Sequence, residues 1–329
     1  MSLLAPTLQA FFTDRLIGQK RASAHTIAAY RDTIRMLLVF AAEHAAKAPN
    51  DLDVEDLGAP LIGAFLDYLE HERGNTIRTR NARLAAIRSL FRYAALRHPE
   101  HAATIQRVLA IPTKRHDQAL ITFLTDPELE ALLAAPDQAT WIGRRDHAMI
   151  LLATQTGLRA SELIGLACGD LRLGAGAHVT CLGKGRKQRI TPLTKQTVKV
   201  MRAWGRERDG RHDEPLFVTS TGRPLTRDAL ERRLAKHAAT AVAACPSLAT
   251  KTITPHVLRH TTAMRLLHAG VDTTVIALWL GHEQIQTTRI YLHADLAIKQ
   301  KALDRTTPPT VKPGRYQPTG AILAFLDAL

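Results

Sequence analysis

The chain has 329 residues, 44 Lys and Arg against 30 Asp and Glu, a net charge of +14 and 46% hydrophobic residues. That length predicts two domains, each able to bury a core, and excludes a short single module; the apolar share excludes a disordered chain. The cationic surplus points to a polyanion, nucleic acid ahead of an anionic membrane, because no basic amphipathic segment or lipidation motif appears.

No apolar run reaches the roughly 18 residues of a membrane span, and the start MSLLAPTLQAFFTDRL lacks a basic leader. A cytoplasmic location is the expectation. Three cysteines, Cys168, Cys181 and Cys245, form no close pair and argue against a disulfide framework or a thiolate zinc cage.

Residues 1–110 read as helices with short polar or Pro/Gly breaks. After Ser23, a plausible N-cap, Ile27, Tyr30, Ile34, Leu37 and Leu38 recur at helical spacing. A second helix is predicted from about Thr76 to Arg97, with Ile77, Leu84, Ile87, Phe91 and Ala94 on one stripe. It carries Arg78, Arg80, Arg83, Arg88, Arg92 and Arg97 and no acid. A solvated helix face usually mixes signs to gain intrahelical pairs, which this one cannot do, so contact with nucleic-acid phosphates is expected.

The segment 111–123, with Pro112 and several cations, breaks the helical period and is read as the interdomain linker. Thr125 and Glu128 then have capping-box spacing, with Pro127 in the first turn. Residues 1–110 hold 14 basic and 11 acidic groups, whereas 111–291 hold 25 and 16, so most of the excess lies in the second domain. There, helices are predicted near 126–135, 141–155, 195–207, 226–243, 255–269 and 273–280. AHVTCL, GKGRK and QRITPL read as strand, turn and strand. TTPPTVKPGRYQP reads as an extended linker before a final apolar helix, AILAFLDAL.

Four pieces carry chemistry: Thr156–Leu163 (TGLRASEL), Gly183-Lys184-Gly185 at the hairpin tip, Thr254–His260 (TPHVLRH), and Leu280-Gly281-His282 with Arg289-Ile290-Tyr291. The set lacks both the carboxylate cluster that holds magnesium and a nucleotide-binding Gly-rich Lys-Ser/Thr loop. Two arginines can grip the non-bridging oxygens of a phosphodiester and neutralise its transition state. His256 and Arg259, at i and i+3 near a helix start, would face one way. A tyrosine nucleophile would keep the phosphodiester's bond energy in a phosphotyrosine ester, so resealing would need no ATP. Taken singly, Arg159 reads as a cap residue, Lys184 as a solvated turn residue, Tyr291 as a core tyrosine, His282 as a cap and Glu162 as a surface acid.

The ordered set Arg159, Lys184, His256-x-x-Arg259, His282 and Tyr291, in the texts TGLRASEL, GKGRKQRITPL, TPHVLRHTTA, LGH and TTRIYLH, resembles the tyrosine recombinase, or phage integrase, family. The likeness extends over most of the chain. It implies a mainly α fold: an N-terminal helical core-binding domain (1–110) and a mostly helical catalytic domain (124–295) with a small antiparallel β-sheet, forming a C-shaped clamp on DNA. By the same resemblance Tyr291 attacks the scissile phosphate to give a 3′-phosphotyrosyl link and Arg159 and Arg259 hold the phosphate. Lys184 protonates the leaving 5′ oxygen, His256 manages the tyrosine proton, His282 donates to a phosphate oxygen and Glu162 supports the site. Gln284 stands where many relatives have Ser.

Arg78, Arg80, Arg83, Arg88 and Arg92, with Lys187 and Arg189, are the candidate DNA contacts; the last two could instead be the outward side of a strand. No cofactor or metal is implied. His256 and His260 have the i, i+4 spacing of a metal pair, but Arg259 between them penalises a dication. The resemblance further implies a nucleoid-associated protein acting on double-stranded DNA at specific sites, as a dimer on one site and a tetramer in synapsis. Related recombinases or DNA-bending proteins are possible accessory partners. Residues 296–329 are expected to dock on a neighbouring subunit, since head-to-tail contacts close rings. A type IB topoisomerase-like enzyme and a non-catalytic DNA-binding protein of the same fold are the alternatives.

Overall fold

The computed structural model describes residues 4–115, 121–183, 188–282, Thr288 and Tyr291. The chain divides into two compact units, 1–118 and 119–329. Among the described residues no helix is long and apolar enough to cross a membrane.

Unit one is helical: α1 (Leu4–Ala10), a π-helical stretch (Phe11–Gln19), α2 (Ala24–Ala45), α3 (Ala59–His71), α4 (Ile77–Ala94) and α5 (Ala102–Ala110). Ser23 and Thr76 cap α2 and α4, their hydroxyls accepting from the backbone N–H of Thr26 and Thr79. These bonds satisfy donors that the first helical turn leaves free, each cap contributing about 1 kcal/mol. Leu37, Phe65, Leu66, Leu69, Leu84, Ile87 and Ile105 form the core. Each contributes about 1.5–3 kcal/mol over the exposed state.

The acid-free helix α4 is not a uniform phosphate-facing row. Arg78 and Arg92 are exposed, but Arg80 is only 5% exposed. Its Nη1 donates to Pro112 O at 3.3 Å and its Nε lies 3.8 Å from Glu70 on α3. Arg88 donates to Ile111 O, and Arg83 to Thr33 Oγ1 at 3.3 Å. Lys114 closes the seam, its Nζ donating to Glu70 Oε2 at 2.8 Å and its backbone pairing with Asn81. The expectation that Arg80 and Arg88 stand free for phosphates is therefore corrected: with no acid on their own helix, they find carbonyls of the following segment. Arg80→Ala should lower the stability of unit one by about 1–3 kcal/mol, the cost of stranding buried polar groups, measured by thermal denaturation.

Unit two contains α6 (Asp126–Ala134), α7 (Trp141–Thr156), α8 (Ala160–Ile164), strands β1 (Leu171–Arg172), β2 (His178–Leu182) and β3 (Gln188–Pro192), then α9 (Lys195–Arg208), α10 (Arg227–Ala241), α11 (Pro255–His268) and α12 (Thr273–Leu280). Helix α7 is apolar nearly all round from Ala148 to Ala153, the pattern of a central helix, and packs between α9 and α11. Asp146 on α7 is fully buried and takes bonds from Arg145, Arg233 and His237, which ties α10 to α7.

The sheet is antiparallel, β1-β2-β3, with Val179 opposite Thr191 and Cys181 opposite Arg189. The two-residue β1 is too short to show alternation in the sequence.

Glu128 fixes the start of α6, accepting from Thr125 N at 2.8 Å, Lys251 Nζ at 2.6 Å and Ser247 Oγ at 2.7 Å. Burial raises its pKa, but these bonds outweigh burial and bring it down to about 2. The carboxylate's contribution is thus complete above the ordinary value of 4.5 and lost as the pH falls through about 2. Glu128→Gln should unfold at a pH-independent cost above 4.5 and show a flatter acid limb than wild type in pH-dependent denaturation.

Candidate functional site

Two glycines shape the site. Gly157 ends α7 with φ +65°, and a Cβ there would come 2.6 Å from Leu280 Cδ2 and 3.3 Å from Thr262. Gly281 ends α12 with φ +65°, and its Cβ would lie 2.4 Å from Arg189 Nη1. Both the left-handed turn and the close approach demand glycine. Together they bring the carbonyl-rich C-terminal ends of two helices to one place, where the helix dipoles favour cations.

Three guanidinium groups collect there. Arg259, 2% exposed on α11, donates to Gly157 O and Leu280 O, both at 2.6 Å. Arg159, capping α8 and about a third exposed, donates to Gly281 O at 3.0 Å and to Glu162 Oε1 at 2.8 Å. Arg189 donates to Leu280 O at 2.7 Å and to Glu162 Oε2 at 2.9 Å. Glu162 also accepts from Arg159 N at 2.8 Å. Burial alone would raise its pKa, but these donors hold it below the carboxylate range. Arg259 is brought down to about 10 by burial and by Arg159. One carboxylate thus faces three arginines, an arrangement with excess positive charge and unused N–H donors suited to a phosphodiester and to the further negative charge that grows on it during attack.

Tyr291 is 1% exposed and packs with Met264, Ile276 and Leu280. Its hydroxyl lies 3.1 Å from His260 Nδ1, and its ring stacks 6.4 Å from that of His282, whose Nδ1 is 2.8 Å from Thr288 Oγ1. Burial raises Tyr291 to about 12 against the opposing pull of Arg259 and Arg159. His260 and His282 are both lowered to about 4, by burial first, then by His256 and Arg259 for His260, and by Arg259, Arg159 and Arg189 for His282. The unfolded chain would bind these protons first, near 6.5. Stability should therefore fall as the pH drops from about 6.5 towards 4, a loss that urea titrations at stepped pH would reveal and that His282→Asn would reduce.

Of the residues singled out in the sequence, the structure brings together Arg159, Glu162, Arg259, His282 and Tyr291. His256 is exposed on α11, its ring 4.5 Å from that of His260. Lys184 and Lys187 lie outside the described residues. Arg189 is neither outward nor free: directly opposite Cys181, it shares the inward face of the sheet, while Ile190 points out at 64% exposure. This inverts the usual apolar-in parity of β3. A signal existed, since pairing β3 on β2 with Val179 and Cys181 inward forces Arg189 and Thr191 inward too. The only sequence signal at His260 is its i, i+4 spacing from His256. Among the described residues no group of three or more His, Cys, Asp or Glu could hold a metal ion. The three thiols are free.

Residues 122–297 match the phage integrase family and residues 10–98 match its N-terminal SAM-like domain. The chain belongs to the phage integrase family. It is thus a tyrosine recombinase, an enzyme of DNA cleavage and rejoining. A Sinorhizobium fredii protein named as integrase/recombinase y4rC is 53% identical, over 99% of this chain and 98% of its own length. Tyrosine recombinase XerC of Rhodospirillum centenum is 37% identical, over 84% and 80% of the two chains. The fold of this integrase is also similar to that of the XerH site-specific recombinase bound to a palindromic difH substrate, with TM-score 0.69, 23% identity and coverage of 87% and 81%. The Tn1549 transposon integrase with transposon right-end DNA gives TM-score 0.67 at 18% identity, covering 91% and 98%.

Proposed function

We propose that this recombinase breaks and rejoins duplex DNA at specific sites through a covalent bond between Tyr291 and a 3′ phosphate. The observation that carries the reading is the burial of Tyr291 beside a cluster of three arginines balanced by one carboxylate. Arg159 and Arg259 hold the non-bridging oxygens and stabilise the charge that grows as the Tyr291 oxygen adds to phosphorus and the 5′ oxygen leaves. His282 adds a hydrogen bond to a phosphate oxygen. Lys184 carries the family's general-acid role for the leaving oxygen, and His256 its role of taking the proton that the Tyr291 hydroxyl gives up as it attacks. Glu162 and Arg189 orient Arg159 and the end of α12 without touching substrate. The work is done in the cytoplasm on chromosomal or mobile DNA.

Arg78 and Arg92 are the exposed members of the α4 row and the ones assigned to the duplex backbone. Replacing either by Ala should weaken binding across all sequences and reduce the slope of log affinity against log salt by about 1, read by fluorescence anisotropy. Residues 296–329, outside the described residues, are assigned to a neighbouring subunit on DNA. An open pocket of about 680 Å³ near α11 and α12, lined by Phe123, Met264, Leu266 and Trp279 together with Asp126, Arg265 and His268, offers a partly apolar acceptor. Deleting 318–329 should impair tetramer assembly on a native gel more than binding to a single site.

The function is tested with a nicked duplex carrying a site selected by this protein from random-sequence DNA. Wild type should leave covalent protein on a denaturing gel and Tyr291→Phe none. An adduct that survives in Tyr291→Phe, or none with wild type, contradicts the assignment.

A further inference from the structure

We propose that His260 positions the nucleophile, its Nδ1 accepting the hydrogen of the Tyr291 hydroxyl. The inference rests on the reading of Tyr291 as the attacking group. It departs from the sequence motif, which points to His256.

His260 Nδ1 lies 3.1 Å from the Tyr291 oxygen and the two rings meet edge to face at 5.5 Å. No second hydrogen bond to that hydroxyl is made among the described residues. The ring of His282 lies parallel to the phenol ring, centroids 6.4 Å apart. His260 is itself braced by the perpendicular ring of His256, 4.5 Å away on the preceding turn of α11.

The direction of the bond follows from the surroundings. Burial keeps the Tyr291 hydroxyl protonated, and burial with His256 and Arg259 nearby keeps His260 neutral, so the phenol donates and the imidazole accepts. The i, i+1 relation of Arg259 and His260 then has a use. One turn of α11 sends Arg259 to the carbonyls of Gly157 and Leu280 and His260 to the hydroxyl, so the phosphate grip and the nucleophile are referenced to the same helix. Without the bond the hydroxyl loses the polar contact that fixes it within its apolar packing, and misplacement by about 1 Å costs on the order of 100-fold in rate.

Three variants and two readouts test this. In single-turnover cleavage of the nicked duplex, His260→Phe should be about 100-fold slower at unchanged DNA affinity. His260→Asn, which offers an amide acceptor near the Nδ1 position but cannot take a proton, should recover most of that loss. A wild-type rate in His260→Phe, or a His260→Asn variant as slow as His260→Phe, would overturn the positioning role. Independently of activity, and of whether His260→Phe folds, nitrogen NMR of the imidazoles should show the His260 Nδ1 resonance move in Tyr291→Phe. An unmoved resonance would overturn the bond itself. If wild type makes no covalent adduct while that resonance moves, the fault lies with the nucleophile assignment and not with the contact.

Discussion

Glu162→Ala is expected to destabilise the second unit by about 3–5 kcal/mol, the usual cost of removing one partner from a buried ion pair. The carboxylate is almost wholly buried and accepts from Arg159 N, Arg159 Nη1 and Arg189 Nη2. Its removal leaves Arg189 Nη2, on a side chain 9% exposed, and the first turn of α8 without an acceptor, and three arginines repel one another unopposed. For a unit of about 200 residues each kcal/mol lowers the melting temperature by about 2–4 °C, so a fall on the order of 10 °C is expected by calorimetry. Glu162→Gln keeps one acceptor oxygen and should lose distinctly less. A Glu162→Ala protein that melts with wild type would show that the arginines are held by the helix-end carbonyls alone.

Arg159→Ala should reduce the cleavage rate by at least 10²–10³-fold, the loss typical when one preorganised donor to a developing oxyanion is removed. DNA affinity should fall far less than the rate, by no more than the one phosphate contact that Arg78→Ala or Arg92→Ala also removes. Arg159 is the most exposed of the three arginines and tied to the rest by two bonds, so its loss leaves the fold largely intact, unlike that of Arg259. Single-turnover cleavage and anisotropy on the same duplex separate the two effects. Equal losses in affinity and rate would mean that Arg159 only binds DNA. Arg159→Lys should rescue poorly, since an ammonium cannot span Glu162, Gly281 O and a phosphate together.

Much of this was legible in the chain. Ser23 and Thr125 announced helix starts through local capping chemistry, and six helices of unit two, α6, α7 and α9 to α12, lie within two residues of the spans that periodicity predicts, while the five-residue α8 is too short to show a period. Arg159, Glu162, Arg259 and Tyr291 could be picked out because their order along the chain matches a family pattern. What sequence could not give was direction. Arg80 and Arg88 read as surface cations because their acceptors, the carbonyls of Pro112 and Ile111, are backbone groups more than 20 residues away that carry no residue-type signal. Arg189 was ambiguous because strand parity depends on register, which is set by the partner strand. His256 and His260 share a helix face, and only the depth of that face, decided by how α11 packs on α7 and α12, puts the second of them on the Tyr291 hydroxyl.

The central claim is that Tyr291 becomes joined to DNA. Trapping wild-type protein on the nicked duplex, digesting with protease and nuclease, and sequencing the nucleotide-bearing peptide by mass spectrometry tests it most directly. The predicted result is one modified peptide with a 3′-linked nucleotide on Tyr291, abolished in Tyr291→Phe. A nucleotide on any other residue, or full strand exchange with no linked peptide, would contradict it.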